Sequence, residues 1–105
     1  MEKVDVVRNM LLSELERCRD MVHSLQREMD HLPRGSLHVR NKKYKDRIYK
    51  YYYRKYWEDG KSVSVHIPES EINNIKSGLK KRKSYESEIK EYKERIKYLE
   101  KILRK

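Results

Sequence analysis

Along the first third of the chain, apolar residues fall at Leu11, Leu15, Cys18, Val22, Leu25, Met29 and Leu32, with spacings that alternate four and three without a break. That alternation is a heptad seam, the pattern of a helix lying along a partner helix. It predicts a helix from about Glu2 to Leu32, with Val4 opening the stripe and Arg8 at the one seam position that is not apolar. Val7, Met10, Leu12 and Met21 widen the stripe on its flanks, which predicts more than one neighbour. Pro33 ends the helix and Gly35 lets the chain turn.

The period then changes from helical to two. Leu37 and Val39 alternate with His38 and Arg40; a polar stretch, Asn41 to Asp46, reads as a loop. Arg47 to Trp57 runs Arg-Ile-Tyr-Lys-Tyr-Tyr-Tyr-Arg-Lys-Tyr-Trp, an aromatic density that favours a pleated strand. Glu58-Asp59-Gly60 is a hairpin turn, with Asp-Gly suited to positive φ angles. Val63, Val65 and Ile67 alternate with Ser62, Ser64 and His66. The expectation is a three-stranded antiparallel meander with strands near 36–41, 47–57 and 62–67. Successive strand side chains point to opposite faces. Read by itself, the tyrosine strand places Tyr49, Tyr51, Tyr53 and Trp57 on a packing face, and Ile48, Lys50, Tyr52, Arg54 and Tyr56 on a solvent-facing one.

Pro68-Glu69-Ser70-Glu71 starts a second long helix, with Ser70 as N-cap and acids in the first turn. Ile72, Ile75 and Leu79 form its first stripe. Tyr85, Ile89, Tyr92, Ile96, Leu99 and Leu103 resume with clean four–three alternation. The interval from Leu79 to Tyr85 is one residue short of a heptad, a stammer. Gly78 and the run Lys80-Lys81-Arg82-Lys83 lie there, where the helix is expected to bend or to hand its apolar face to a new neighbour. The predicted fold class is α+β: two long antiparallel coiled-coil-like helices joined by a small three-stranded antiparallel β-meander. It forms one domain over 1–105, divided as helix 1–33, sheet 34–68 and helix 69–105.

Composition narrows this picture. Only 36% of the 105 residues are hydrophobic and 42% are charged, too little apolar material for a thick core. A chain this thin is hard to stabilise alone, and the flanking apolar rows offer a second surface, so a homodimer is expected. The net charge of +10 is unevenly spread. Residues 1–33 are acidic on balance, whereas 34–61 hold ten Lys/Arg against three acids. Such asymmetry points to an anionic partner, either nucleic acid or an acidic protein surface.

Candidate chemistry is of the binding kind. His23, His31, His38 and His66 lack metal-site spacing, and Cys18, the single cysteine, falls in the apolar stripe as a core residue. His38 and His66 approach each other only if the sheet brings them together. Glu86-Lys90 and Glu91-Arg95 read as solvated helix faces, not acid–base pairs. There is no phosphate-binding loop, so an enzyme is not expected, and no cofactor is implied. No apolar run approaches bilayer length and no apolar leader opens the chain; the expectation is an intracellular, cytoplasmic protein without a membrane partner.

The candidate site is the basic, tyrosine-rich segment from Arg40 to Lys61. Lys50, Tyr52, Arg54 and Tyr56 are expected on its exposed face, flanked by Lys42, Lys43, Lys45 and Arg47 on the preceding loop. Lys80, Lys81 and Lys83 extend the basic surface along the second helix. Cations gain affinity for a phosphate chain by releasing counterions, and aromatic faces stack on bases whatever the sequence.

The run Leu32-Pro33-Arg34-Gly35-Ser36-Leu37, the Tyr-rich strand, Asp59-Gly60-Lys61, and Ile67-Pro68 before a Lys/Glu-rich helix together resemble a group of short prokaryotic helix/β-hairpin/helix proteins. Those have a Leu-Pro-x-Gly-Ser-Leu turn and a tyrosine-rich hairpin and often lie near mobile elements. The resemblance spans nearly the whole chain and implies the same architecture and a mobile-element setting, but no activity. Three functions fit. The first is a small non-catalytic nucleic-acid-binding protein. The second is a phage- or mobile-element-encoded inhibitor of a host nuclease, such as a CRISPR effector, acting by protein–protein contact in the manner of an anti-CRISPR. The third is a structural coiled-coil adaptor.

Overall fold

The computed structural model describes residues 3–104, with side chains from residue 5 onward. The expected helix start at Glu2 therefore lies outside the described residues, and so does the side chain of Val4 at the first seam position. In chain order the elements are α1 (Lys3–Met29), β1 (Ser36–Tyr44), β2 (Arg47–Glu58), β3 (Lys61–Ile67), a 3-10 turn (Glu69–Glu71) and α2 (Ile72–Leu103). The class is α+β, two helices and a three-stranded antiparallel sheet. The chain divides into two compact units. One comprises the residues up to His31 together with those from Lys83 on; the other is Leu32–Arg82.

The first unit is a helix pair. Its core has two clusters: Leu15 and Cys18 against Leu99, and Val22 and Leu25 against Ile89. Rising numbers on α1 meet falling numbers on α2, so the helices are antiparallel with their heptad seams engaged. Cys18 is fully buried, as its place in the stripe predicts. Arg8, the polar exception in the seam, donates from Nη1 to the Leu103 carbonyl at 3.3 Å. It thereby satisfies one of the carbonyls that a helix C-terminus leaves without an intrahelical partner. Arg19 pairs with Glu100 at 3.0 Å across the same interface.

α1 ends at Met29, three residues before the expected Leu32. Asp30 N–H still reaches the Gln26 carbonyl, but His31 N–H turns to Glu28 at 3.3 Å, a tightened final turn. Proline disfavours helical backbone in the residue before it, which takes Leu32 out of the seam.

The second unit contains the sheet, in the order β1-β2-β3. The Asp59-Gly60 turn has φ of 51° and 76°, both positive, as a tight hairpin connection requires. Two boundaries differ from the expectation. Asn41 to Tyr44 is not loop: β1 continues to Tyr44, pairing residue by residue with Arg47–Lys50, and the turn is Lys45-Asp46. Ladder pairing against Tyr and Ile residues overrides the poor strand propensity of the Lys-rich segment. Ser70 is not an N-cap: it lies inside the 3-10 turn, whose N-cap is Pro68 with a φ of −60°, and no side chain caps that turn.

α2 runs without interruption through the stammer. Its first turns, with Ile72 buried, belong to the sheet unit, and its later stripe from Tyr85 belongs to the helix pair. Gly78 is buried on α2, and a Cβ there would lie 2.7 Å from the Pro33 ring. Arg82 Nη1 donates to the Leu32 carbonyl at 3.2 Å, tying the same loop to the helix.

Candidate functional site

Register decides which way each sheet residue points. The turn at Asp59-Gly60 pairs Glu58 with Lys61, so Tyr56, Arg54 and Tyr52 lie opposite Val63, Val65 and Ile67. On the other side Tyr52 and Arg54 pair with Val39 and Leu37. This is the aliphatic face, with Ile67 buried and Tyr52, Arg54 and Tyr56 half-buried. The Lys76 ammonium of α2 sits 5.9 Å from the Tyr52 ring centroid.

Over the three-stranded part the sheet faces are therefore the reverse of the expectation, whereas Ile48 and Lys50, on the two-stranded end, are exposed as expected. Tyr52, Arg54 and Tyr56 are packing residues. Arg54 stacks over Tyr56 at 4.5 Å and donates from Nη1 to the Arg34 carbonyl at 2.8 Å, holding the loop before β1. Its Nε is buried with no hydrogen-bond partner among the described residues. Gly35, in that loop, has φ of 101° and passes so close to Lys55 and Tyr56 that a side chain has no room.

The opposite face is the open one. It carries Tyr49, Tyr51, Tyr53, Lys55 and Trp57 of β2, with Arg40, Lys42 and His38 of β1 and His66 of β3 beside them. Trp57 is 71% exposed. His38 stacks on Tyr53 with centroids 5.4 Å apart and shares a 2.8 Å hydrogen bond with the Ser36 hydroxyl. Arg40 and Lys55 both lie 5.7 Å from the Tyr53 centroid, and Lys42 lies 5.9 Å from that of Tyr51. Among the described residues no carboxylate-bearing strand position points to this face; Glu58 is on the other. A depression of about 500 Å³ is lined by Arg40, Lys42, Tyr51, Tyr53, Lys55 and His66. A second, of about 510 Å³, joins Arg34, Ser36 and His38 to Trp57 and shares Lys55 with the first.

His38 and His66 flank Tyr53 from opposite sides in the ladder. Two strand spacings, roughly 9–10 Å, separate their backbones. They serve as ring neighbours of the tyrosines, not as a ligand pair.

Of the other expected site residues, Lys42, Lys43, Arg47 and Lys50 come together on the paired ends of β1 and β2, with Lys45 in the turn that joins them. All five are exposed. Lys80, Lys81 and Lys83 are exposed on α2, where successive positions fan around the helix axis. The sequence reading missed Arg40, Tyr51, Lys55 and Trp57 as an exposed set, with the half-buried His38 and Tyr53 among them. The two-residue turn was the signal that would have found them.

No helix among the described residues is long and apolar enough to cross a membrane. No protein-family model, curated protein or solved structure matches this chain.

Proposed function

We propose that this chain is a non-catalytic nucleic-acid-binding protein that uses the open sheet face bearing Arg40, Lys42, Tyr51, Tyr53, Lys55 and Trp57. One observation carries the reading: cations alternate with accessible rings on a face without carboxylates. The cations follow the phosphate chain and release counterions, while Tyr51 and Trp57 present rings on which unpaired bases stack. The packing face has the aliphatic side chains and cannot do this work.

Fluorescence anisotropy with a labelled, mixed-sequence single strand tests it. Replacing Arg40 and Lys55 with Gln is expected to make the slope of log K against log salt shallower by about 1.4, at roughly 0.7 per lost contact. Trp57→Ala is expected to weaken binding with the slope unchanged. Absence of binding at low salt overturns the proposal. The nuclease-inhibitor reading draws support from the same exposed Trp57, since Trp and Arg are the residue types most enriched at protein hot spots. It differs in requiring no affinity for free nucleic acid at physiological salt.

A further inference from the structure

β3 pairs with β2 only from Tyr52 to Glu58, whereas β1 pairs with it all the way to Arg47. The pairs from Arg40↔Tyr51 to Tyr44↔Arg47 therefore form a two-stranded ribbon with no third strand beside it. At roughly 3.4 Å per residue it extends about 14 Å beyond the three-stranded part, before its turn. Every residue from Val39 to Tyr51 is exposed, including Ile48 at 69% and Tyr44 at 63%. The ribbon carries Arg40, Lys42, Lys43, Lys45, Arg47 and Lys50 against a single acid, Asp46.

The distribution of those cations distinguishes the arm from the rest of the sheet. Arg40, Lys42 and Arg47 share the open face, but Lys43 and Lys50 point the opposite way. A strand lying flat on the open face would meet only the first group. A ligand with phosphates on both sides of the ribbon would meet both. The major groove of a B-form duplex is such a ligand: it is about 12 Å wide, admits a two-stranded ribbon and is walled by two phosphate backbones. The major groove of an A-form RNA helix is too narrow and deep.

We infer that the Arg40–Tyr51 ribbon is an arm that enters the major groove of duplex DNA, and that the full ligand is a DNA duplex continued by an unpaired strand, with the arm on the duplex and the open sheet face on the extension. The inference rests on the nucleic-acid-binding reading above and adds its substrate class. Both surfaces lie along β2, so one ligand following that strand meets them in turn.

The test compares a labelled DNA single strand, a blunt duplex, the same duplex with a single-stranded overhang, and the RNA counterpart of that overhang ligand. Wild-type protein is expected to prefer the DNA duplex with overhang. The double variant Lys43→Gln/Lys50→Gln changes only the arm face turned away from the platform. It is expected to make the duplex salt slope shallower by about 1.8, at roughly 0.9 per contact, and to leave single-strand binding unchanged. A second variant replaces residues 41–50 with Asn-Gly, closing the hairpin on Arg40 and Tyr51, a pair of the same ladder type as Tyr44 and Arg47. It is expected to lose the preference for duplex-containing DNA and to keep single-strand binding, weakened and with a salt slope shallower by about 0.7 for the Lys42 contact it removes, which also reports that the platform is folded. Equal affinity for single strand and overhang duplex overturns the arm, as does an unchanged duplex slope in the double variant. Preference for the RNA ligand overturns the B-form groove. Failure to bind any of the four ligands overturns the underlying function instead.

Discussion

Tyr51 and Tyr52 are sequence neighbours with opposite roles, and replacing each with alanine separates binding from folding. Tyr52 is half-buried, pairs with Val39 and Ile67, and has Lys76 over its ring. Removing a fully buried aromatic ring costs about 3–5 kcal/mol, so a half-buried one is expected to cost about 2. That loss falls on a unit in which Ile67 and Ile72 are the buried apolar side chains among the described residues. Tyr51 is 40% exposed, and its ring neighbours are Lys42 and His66, the latter with centroids 6.2 Å apart. Cross-strand contacts of this kind contribute about 0.2–1 kcal/mol, so Tyr51→Ala is expected to cost less than about 1. In binding the order reverses. Loss of a stacked base costs about 1–3 kcal/mol, which is about 5- to 150-fold in affinity for a single strand. Urea denaturation followed by circular dichroism reads the first quantity. Anisotropy, at denaturant-free conditions where both variants are folded, reads the second. Tyr51→Phe keeps the ring and is expected to retain binding. If Tyr52→Ala lost affinity at unchanged stability, or Tyr51→Ala destabilised as much as Tyr52→Ala, the assignment of the faces would be wrong.

Three further outcomes are expected. Glycine to alanine within a helix normally gains about 1 kcal/mol, but Gly78→Ala should lower the unfolding midpoint, because its Cβ would lie 2.7 Å from Pro33 and overpacking costs about 1–3 kcal/mol; Pro33→Ala in the same chain should restore it, and a raised midpoint for the single variant refutes the contact. Glu14 accepts from Arg17 at 2.7 Å, a hydrogen bond that lowers its pKa to about 2 from the ordinary 4.5. A depressed carboxylate pKa stabilises the fold above the unfolded value, and the contribution is lost as pH falls through the folded one. The stability difference between wild type and Glu14→Gln should thus be constant above about pH 5 and shrink toward pH 2 in urea titrations, and a difference that grows on acidification refutes it. Val6, Val7 and Met10 leave apolar surface beside the seam, Met10 at 67% exposure; if a second copy covers it, sedimentation should give twice the 13.0 kDa mass for wild type and a monomer for Met10→Glu, and a wild-type monomer ends that expectation.

The helix pair was legible because its information is one-dimensional: a heptad seam is a spacing, and spacings survive in a bare sequence. Even Arg8 could be located as an exception, although its partner, a carbonyl at the far end of the chain, could not. The sheet was legible as a sheet but not by face. Tyrosine is amphipathic and suits either side of a pleated strand, so a run such as Tyr51-Tyr52-Tyr53 carries no inside or outside of its own. The facing information lay in β3, where Val63, Val65 and Ile67 are unambiguous, and it reaches β2 only through the register set by a two-residue turn. The arm was hidden for a different reason. Asn41 to Asp46 has the composition of a loop, and Lys45, at a φ of 56°, stands where glycine or asparagine would have announced a turn. Its strand character comes from the partner it pairs with, and partnership is absent from local propensity. Gly78 is hidden more deeply still, since the Pro33 ring that requires it lies far away in sequence. A long tyrosine-rich strand is therefore best oriented from its neighbours inward. The aliphatic strand across a tight turn decides the buried face, and the rings left over on the other side are the ones available to a ligand.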